Sequence, residues 1–151
     1  MIYGTLTGLR PQEACDSIKL LKNDSDGYLK KQEDSMTLEH FQYPQFIRKT
    51  KKAYISIVNG QILDIAQNCG EHSYNAVRLY VKKKGLGMHM AYCRKIFATY
   101  LRNKGIEAEI IDLLQGRIPK SVFVRHYFRP DFNHGTIKES INSLYSCLIE
   151  K

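Results

Sequence analysis

From residue 61 onward the chain repeats apolar residues at three- and four-residue spacing, and glycines interrupt that pattern at a few places. The period is helical, so stretches 61–68, 72–83 and 88–104 are expected to be helices. Gly105 is placed to end the third, because glycine takes a left-handed helix end without steric strain. Ile106, Ile110, Leu113 and Leu114 mark a further helix, closed by Gly116. Pro119 opens a short helix that holds Tyr127 and stops at Pro130. Ile141, Leu144, Tyr145 and Leu148 form an apolar stripe on a C-terminal helix. That stripe either packs on its own domain or docks on a neighbouring protomer.

The first half reads differently. A short helix is expected from about residue 11, where Pro11 and Glu13 suit a helix start. Residues 53–58 are β-branched and aromatic, and Asn59-Gly60 ends them, so they read as a strand. The basic run Arg48-Lys49-Thr50-Lys51-Lys52 before it reads as a hairpin tip. Ser17–Leu21 and Phe41–Ile47 read as extended pieces. The polar stretch 23–39, opened by Asn23-Asp24-Ser25-Asp26-Gly27, reads as mobile surface. The fold class is therefore α+β, mainly α-helical with a small antiparallel sheet, in one domain over residues 1–151.

Charge narrows the partners. Twenty-three Lys and Arg against 15 Asp and Glu leave a formal +8. Such an excess favours a polyanion, nucleic acid or an anionic membrane surface, although a solvated basic surface has the same composition. No stretch reaches membrane-span length and the start does not resemble a signal peptide, so an intracellular site of action is expected. The cysteines at 15, 69, 93 and 147 match no zinc spacing. They are expected to be reduced thiols, some in the core, with no metal site.

Three arginines stand where hydrophobic pattern does not explain them. Arg94 shares a helical face with Phe97 and Leu101, where a guanidinium must snorkel, pair with a carboxylate or take an anion. Arg10 precedes a helix start, a position that favours anions, or simply pairs with Glu13. Arg117 lies in a Gly-Arg-Ile-Pro connection, equally suited to a plain surface loop. Tyr127 is one of ten tyrosines, and its ordinary pKa near 10 makes it a poor nucleophile unless positive charge surrounds it.

In order along the chain, these segments resemble the tyrosine recombinases, or integrases. Thr7-Gly8-Leu9-Arg10-Pro11-Gln12-Glu13-Ala14 is similar to that family's first arginine box. Lys49-Thr50-Lys51 before a strand is similar to its lysine-bearing β-hairpin. Arg94-Lys95-Ile96-Phe97-Ala98-Thr99 is similar to the second arginine box, and the segment from Leu113 to Tyr127 to the closing one. Leu113-Leu114-Gln115-Gly116-Arg117-Ile118-Pro119 looks specifically like integrases of archaeal viruses of the fusellovirus type. The sequence departs from the family pattern in two places. Ala91 stands where relatives often carry histidine, with His89 nearby at another spacing. Arg117 stands where they often carry the histidine of a Gly-His pair.

The resemblance implies the tyrosine recombinase catalytic-domain fold and site-specific DNA cleavage and rejoining through a 3′-phosphotyrosyl intermediate. It implies catalytic roles for Arg10, Lys49, Arg94, Arg117 and Tyr127, with Lys51 and Lys52 as other candidates for the acid. Lys51, Lys52, Lys95 and Arg125 are the expected DNA contacts. Neither metal nor cofactor is needed. The implied partners are double-stranded DNA at attachment sites and further copies of the chain, as a tetramer on DNA. Only nine residues precede Arg10, so a catalytic domain without the family's N-terminal core-binding domain is expected. The competing readings are a type IB topoisomerase-like enzyme and a DNA-binding or regulatory protein that kept the fold but lost catalysis.

Overall fold

The computed structural model of the chain describes residues 1–31, 36–49, 52–87, 89–117 and 134–149. Helix α1 (Ile2–Thr7) ends at Gly8, whose φ of 67° is left-handed. A Cβ there would come within 2.7 Å of the Phe97 ring, so glycine permits both the turn and the close packing beneath it. Helix α2 (Pro11–Asn23) starts with Pro11 in its first turn, and the Arg10 backbone N–H donates to the Glu13 carboxylate at 2.9 Å. A buried acid thus caps the positive end of the helix.

Helix α2 corrects the expectation of an extended piece at Ser17–Leu21. Ala14, Ser17 and Leu21 are buried at three- and four-residue spacing, with Ile18 packed against the core, which is a helical face. A single-turn helix α3 (Ser25–Tyr28) leads into β1 (Leu29–Lys31), β2 (Met36–Glu39) and β3 (Ile55–Val58). The three strands form an antiparallel sheet in the order β1-β2-β3, with Leu29 opposite Leu38 and Met36 opposite Val58. Much of the supposed surface stretch is therefore structural, and Tyr28 and Leu38 are fully buried. The second extended expectation also changes. His40–Gln42 and Pro44–Phe46 are 3-10 turns, in which Pro44 suits the first position and Phe46 anchors the core.

The helical half follows the apolar period. It comprises α4 (Gly60–Asn68), α5 (Tyr74–Lys83), α6 (Ala91–Asn103), α7 (Ala108–Leu114) and α8 (His134–Ile149). Asn59 caps α4 by accepting from the Ile62 N–H at 2.8 Å, and Ser73 caps α5 by accepting from the Ala76 N–H at 3.2 Å. Gly105 and Gly116 both take positive φ, 85° and 63°, as the helix-end reading requires. On α8, Ile137, Ile141 and Leu144 are buried in the core that α1, β3 and α6 share, with Tyr145 and Leu148 packed against it. The C-terminal stripe therefore packs on its own domain.

A buried polar chain crosses this core. Tyr3 and Ser17 hydroxyls lie 2.5 Å apart, Tyr28 donates to Ser17 Oγ at 2.7 Å, and Tyr28 Oη is 2.6 Å from His40 Nδ1. His40 Nε2 is 2.8 Å from Ser56 Oγ, which donates to the Thr7 carbonyl at 3.4 Å. Burial drives the His40 pKa down to about 3, so its imidazole is neutral.

Candidate anion site at the arginine cluster

The turn after α7 collects the three arginines. Gln115 and Gly116 form it, and the Arg117 N–H closes it on the Asp112 carbonyl at 2.8 Å. Arg94 Nη2 donates to the Gln115 carbonyl at 2.9 Å, and Nη1 to the Gly8 carbonyl at 3.0 Å. Gln115 Nε2 returns a bond to the Arg94 carbonyl at 2.7 Å. Arg10 Nη2 donates to the Gly116 carbonyl at 3.3 Å. Its Nη1 serves both the Glu13 carboxylate at 2.8 Å and the Lys52 carbonyl at 3.2 Å.

Among the described residues Arg94 thus pairs with no carboxylate. It ties the end of α1 to the end of α7 through two backbone carbonyls. Its position follows from α6: Phe97, one turn on, packs under Gly8 and brings that carbonyl within reach. Burial pulls the Arg94 pKa down to about 10, with the positive charges of Arg10 and Arg117 adding to it and Glu13 and Asp112 opposing. The group stays cationic at neutral pH while sensing its two cationic neighbours. Arg10 does pair with the fully buried Glu13, and its own side chain is only 20% exposed. Arg117 lies farther out, 53% exposed, with Nη1 3.2 Å from Asp112 Oδ1.

A guanidinium carries five N–H donors. These bonds leave two on Arg10 and three on Arg94 without a partner among the described residues. Adjacent, half-buried forks that are cationic at neutral pH and have spare donors can bind the non-bridging oxygens of a phosphate.

Gly116 makes the cluster possible. A Cβ there would lie 1.4 Å from the Lys52 carbonyl oxygen. This contact brings the base of the basic hairpin against the arginine turn. An isolated antiparallel bridge between Ile47 and Lys52 supports the hairpin reading, and the Ala53 N–H bonds to the Phe46 carbonyl at 2.9 Å. Lys49 is exposed and Lys52 half-buried; Lys95 is exposed on α6 beside Arg94. Lys51, Arg125, Tyr127 and the expected helix after Pro119 lie outside the described residues. Ala91 is exposed at the start of α6, and its N–H bonds to His89 Nδ1 at 3.2 Å.

Sequence reasoning missed Gln115 and Arg48. Gln115 is fully buried at the turn, and its Oε1 has no partner among the described residues. A polar residue directly before a helix-ending glycine was the available signal. It also missed how unevenly the charge is spread. Residues 72–106 hold eight Lys and Arg and no Asp or Glu, so the whole formal excess lies in α5, α6 and their connections.

Among the described residues no group of three His, Cys, Asp or Glu is placed to hold a metal ion. None of their helices is long and apolar enough to cross a membrane. A cavity of about 240 Å³, lined by apolar side chains including Leu9, Ile18 and Ile65 and by Cys15, Cys69 and Cys93, includes none of the three arginines in its walls.

Three arginines gathered on one turn, beside a strongly basic helical pair, make an anion site on a surface suited to a polyanion. The family comparison makes this specific. The archaeal phage integrase profile matches residues 6–132, so the chain belongs to the archaeal phage integrase family. No curated protein matches it. Membership makes site-specific DNA recombination its field of action and DNA its partner.

Proposed function

We propose that the chain is a DNA strand transferase in which Tyr127 attacks the scissile phosphorus. The phenolic oxygen forms the new bond to phosphorus as the bond to the 5′-oxygen breaks. The phenolic proton passes to water, and a lysine of the hairpin, Lys49 in the first instance, gives its proton to the departing oxygen. The products are a 3′-phosphotyrosyl enzyme and a free 5′-hydroxyl. Reversal on a partner strand rejoins DNA without ATP, because the ester conserves the bond.

The convergence of Arg10, Arg94 and Arg117 on one turn carries this reading. Their charge lowers the energy of a phosphorane transition state, an effect worth roughly 3–4 kcal/mol for one preorganised donor. They also stay protonated while the lysine gives its proton up, which divides clamp from acid. Lys51, Lys52, Lys95 and Arg125 add backbone contacts to the duplex. Protomers assemble as tetramers on paired sites, with α8 kept on its own domain.

One observation favours a second reading, a DNA-binding protein of this fold without catalysis: Ala91 offers no side-chain donor beside Arg94. A library of nicked duplexes of randomised sequence decides between them. Recovery of a covalent protein–DNA adduct, and its loss in Tyr127→Phe, supports the transferase. Tight binding with no adduct at any salt or temperature supports the binding module.

A further inference from the structure

We infer that Arg48 is a positioning residue for the proton donor, setting the basic hairpin against the arginine cluster through Glu13. The inference rests on the strand-transfer reading above. Glu13 Oε1 accepts from two arginines, Arg10 Nη1 at 2.8 Å and Arg48 Nη2 at 3.2 Å. Glu13 is fully buried, so its carboxylate needs both its charge and its hydrogen bonds answered. Arg10 alone answers part of that, and Arg48 reaches in from the surface to answer more.

The geometry has a second half. Arg10 Nη1 also donates to the Lys52 carbonyl at 3.2 Å. The basic run is therefore held at both ends by one pair of residues. Its first residue is held through the Glu13 carboxylate and its last through the Arg10 guanidinium. The Ile47–Lys52 bridge closes the loop between these two anchors. Lys49 is exposed, and among the described residues nothing anchors its side chain, so its distance from the cluster is set by what holds its neighbours. Arg48 is 45% exposed at the side chain, which argues for a tether rather than a core element. Without Arg48 the Glu13 carboxylate is still paired with Arg10, whose guanidinium and backbone N–H both bond to it. The effect of Arg48 falls on placement, where a shift of about 1 Å costs about 100-fold in rate.

The role predicts a chemical signature. A lysine acid matters when the leaving group is an alkoxide and hardly matters when it is a thiolate, whose conjugate acid is far stronger. A duplex recovered from the randomised library is rebuilt with sulfur in place of the 5′-bridging oxygen. With Arg48→Met, adduct formation on the oxygen substrate is expected to fall about 10-fold or more. On the sulfur substrate it should stay within about 3-fold, and DNA affinity within about 2-fold. Arg48→Lys, which keeps a cation for Glu13, should recover part of the oxygen-substrate rate. Equal losses on both substrates, or a loss of affinity that accounts for the rate, would overturn the inference and make Arg48 a DNA contact.

Lys49→Ala, Lys51→Ala and Lys52→Ala on the same two substrates test the underlying reading separately. If none of them shows the sulfur rescue, the lysine-acid reading fails whatever Arg48 does. Amide exchange of the whole chain gives a readout free of cleavage. Exchange of the amides at 47–49 and 52–53 should quicken in Arg48→Met while the core amides of α6 hold. Unchanged exchange there overturns the tether.

Discussion

Gly116→Ala separates two costs that usually travel together. A non-glycine residue in left-handed conformation costs about 1–2 kcal/mol. Gly105, φ 85°, supplies that term alone, since a Cβ there would meet nothing within 4 Å. Gly116, φ 63°, carries the same backbone term plus a collision. Its Cβ would lie 1.4 Å from the Lys52 carbonyl oxygen, 2.5 Å from that carbonyl carbon and 2.9 Å from Ala53 Cα. All three are backbone atoms, and Ala53 is fully buried, so no flexible side chain can give way. One of the two segments must move by about 2 Å to reach ordinary contact.

That movement breaks the Arg10 bonds to the Lys52 and Gly116 carbonyls. Hydrogen bonds to charged groups contribute about 1.5–3 kcal/mol each. Gly116→Ala should therefore cost about 4–8 kcal/mol against about 1–2 for Gly105→Ala, a large share of a domain's total stability. Urea unfolding followed by circular dichroism measures both on the same chain. Losses within 1 kcal/mol of each other would refute the contact argument and leave only the left-handed term. Cleavage should track the same division, with Gly105→Ala active and Gly116→Ala inactive even well below its melting point.

Four further outcomes follow from the geometry. The His40 pKa of about 3 lies below the unfolded value near 6.5, so the folded state binds fewer protons. The stability this neutral imidazole contributes is complete above pH 6.5 and falls as pH drops toward 3. The span is about 5 kcal/mol, and about 2 kcal/mol of it is lost between pH 6.5 and 5. Unfolding curves of the chain and of His40→Gln should differ in slope over that window. Arg94→Ala leaves the Gly8 and Gln115 carbonyls without their charged donor, for about 3–5 kcal/mol, and calorimetry should show a melting point lower by about 10 °C. Arg117→Ala, altering an exposed side chain, should lose adduct formation by about 100-fold or more while filter-binding affinity falls only a few-fold. Leu144→Ala should cost about 2–5 kcal/mol in urea, because that side chain is buried in the domain's own core rather than kept for a neighbour.

The helical half was legible because its signals are local. Period and glycine punctuation put α4, α5, α6 and α7 within a few residues of their places. Of the sheet, β3 was legible within two residues of its place, whereas β1 and β2 were not, because they are three and four residues long and β1 is mostly polar. What makes Leu29 and Leu38 strand residues is their pairing, a contact no single segment shows. The full length of α2 was not legible, because the Ser17 hydroxyl is on its buried face and finds its partners, two tyrosines, elsewhere in the chain. The three arginines could be ranked from their order and neighbours. Of their partners Glu13 could be named for Arg10, but the others could not, because Gly8, Lys52, Gln115 and Gly116 take part through backbone carbonyls, which any residue possesses. Arg48 reads as one more charge in a basic run until Glu13 is seen beneath it.

The Arg10 guanidinium bonds to carbonyls 42 and 106 residues further along the chain. A ribosome delivers these groups at different times, the first arginine early and the turn at Gln115–Arg117 much later. Until that turn has emerged and docked, no arrangement of three arginines exists for a phosphate to meet. A partly made or partly unfolded chain carries much of the basic charge that attracts DNA but not the assembled cluster. On the strand-transfer reading, competence thus arrives only with completion of the fold, and an unfinished chain can hold DNA without acting on it.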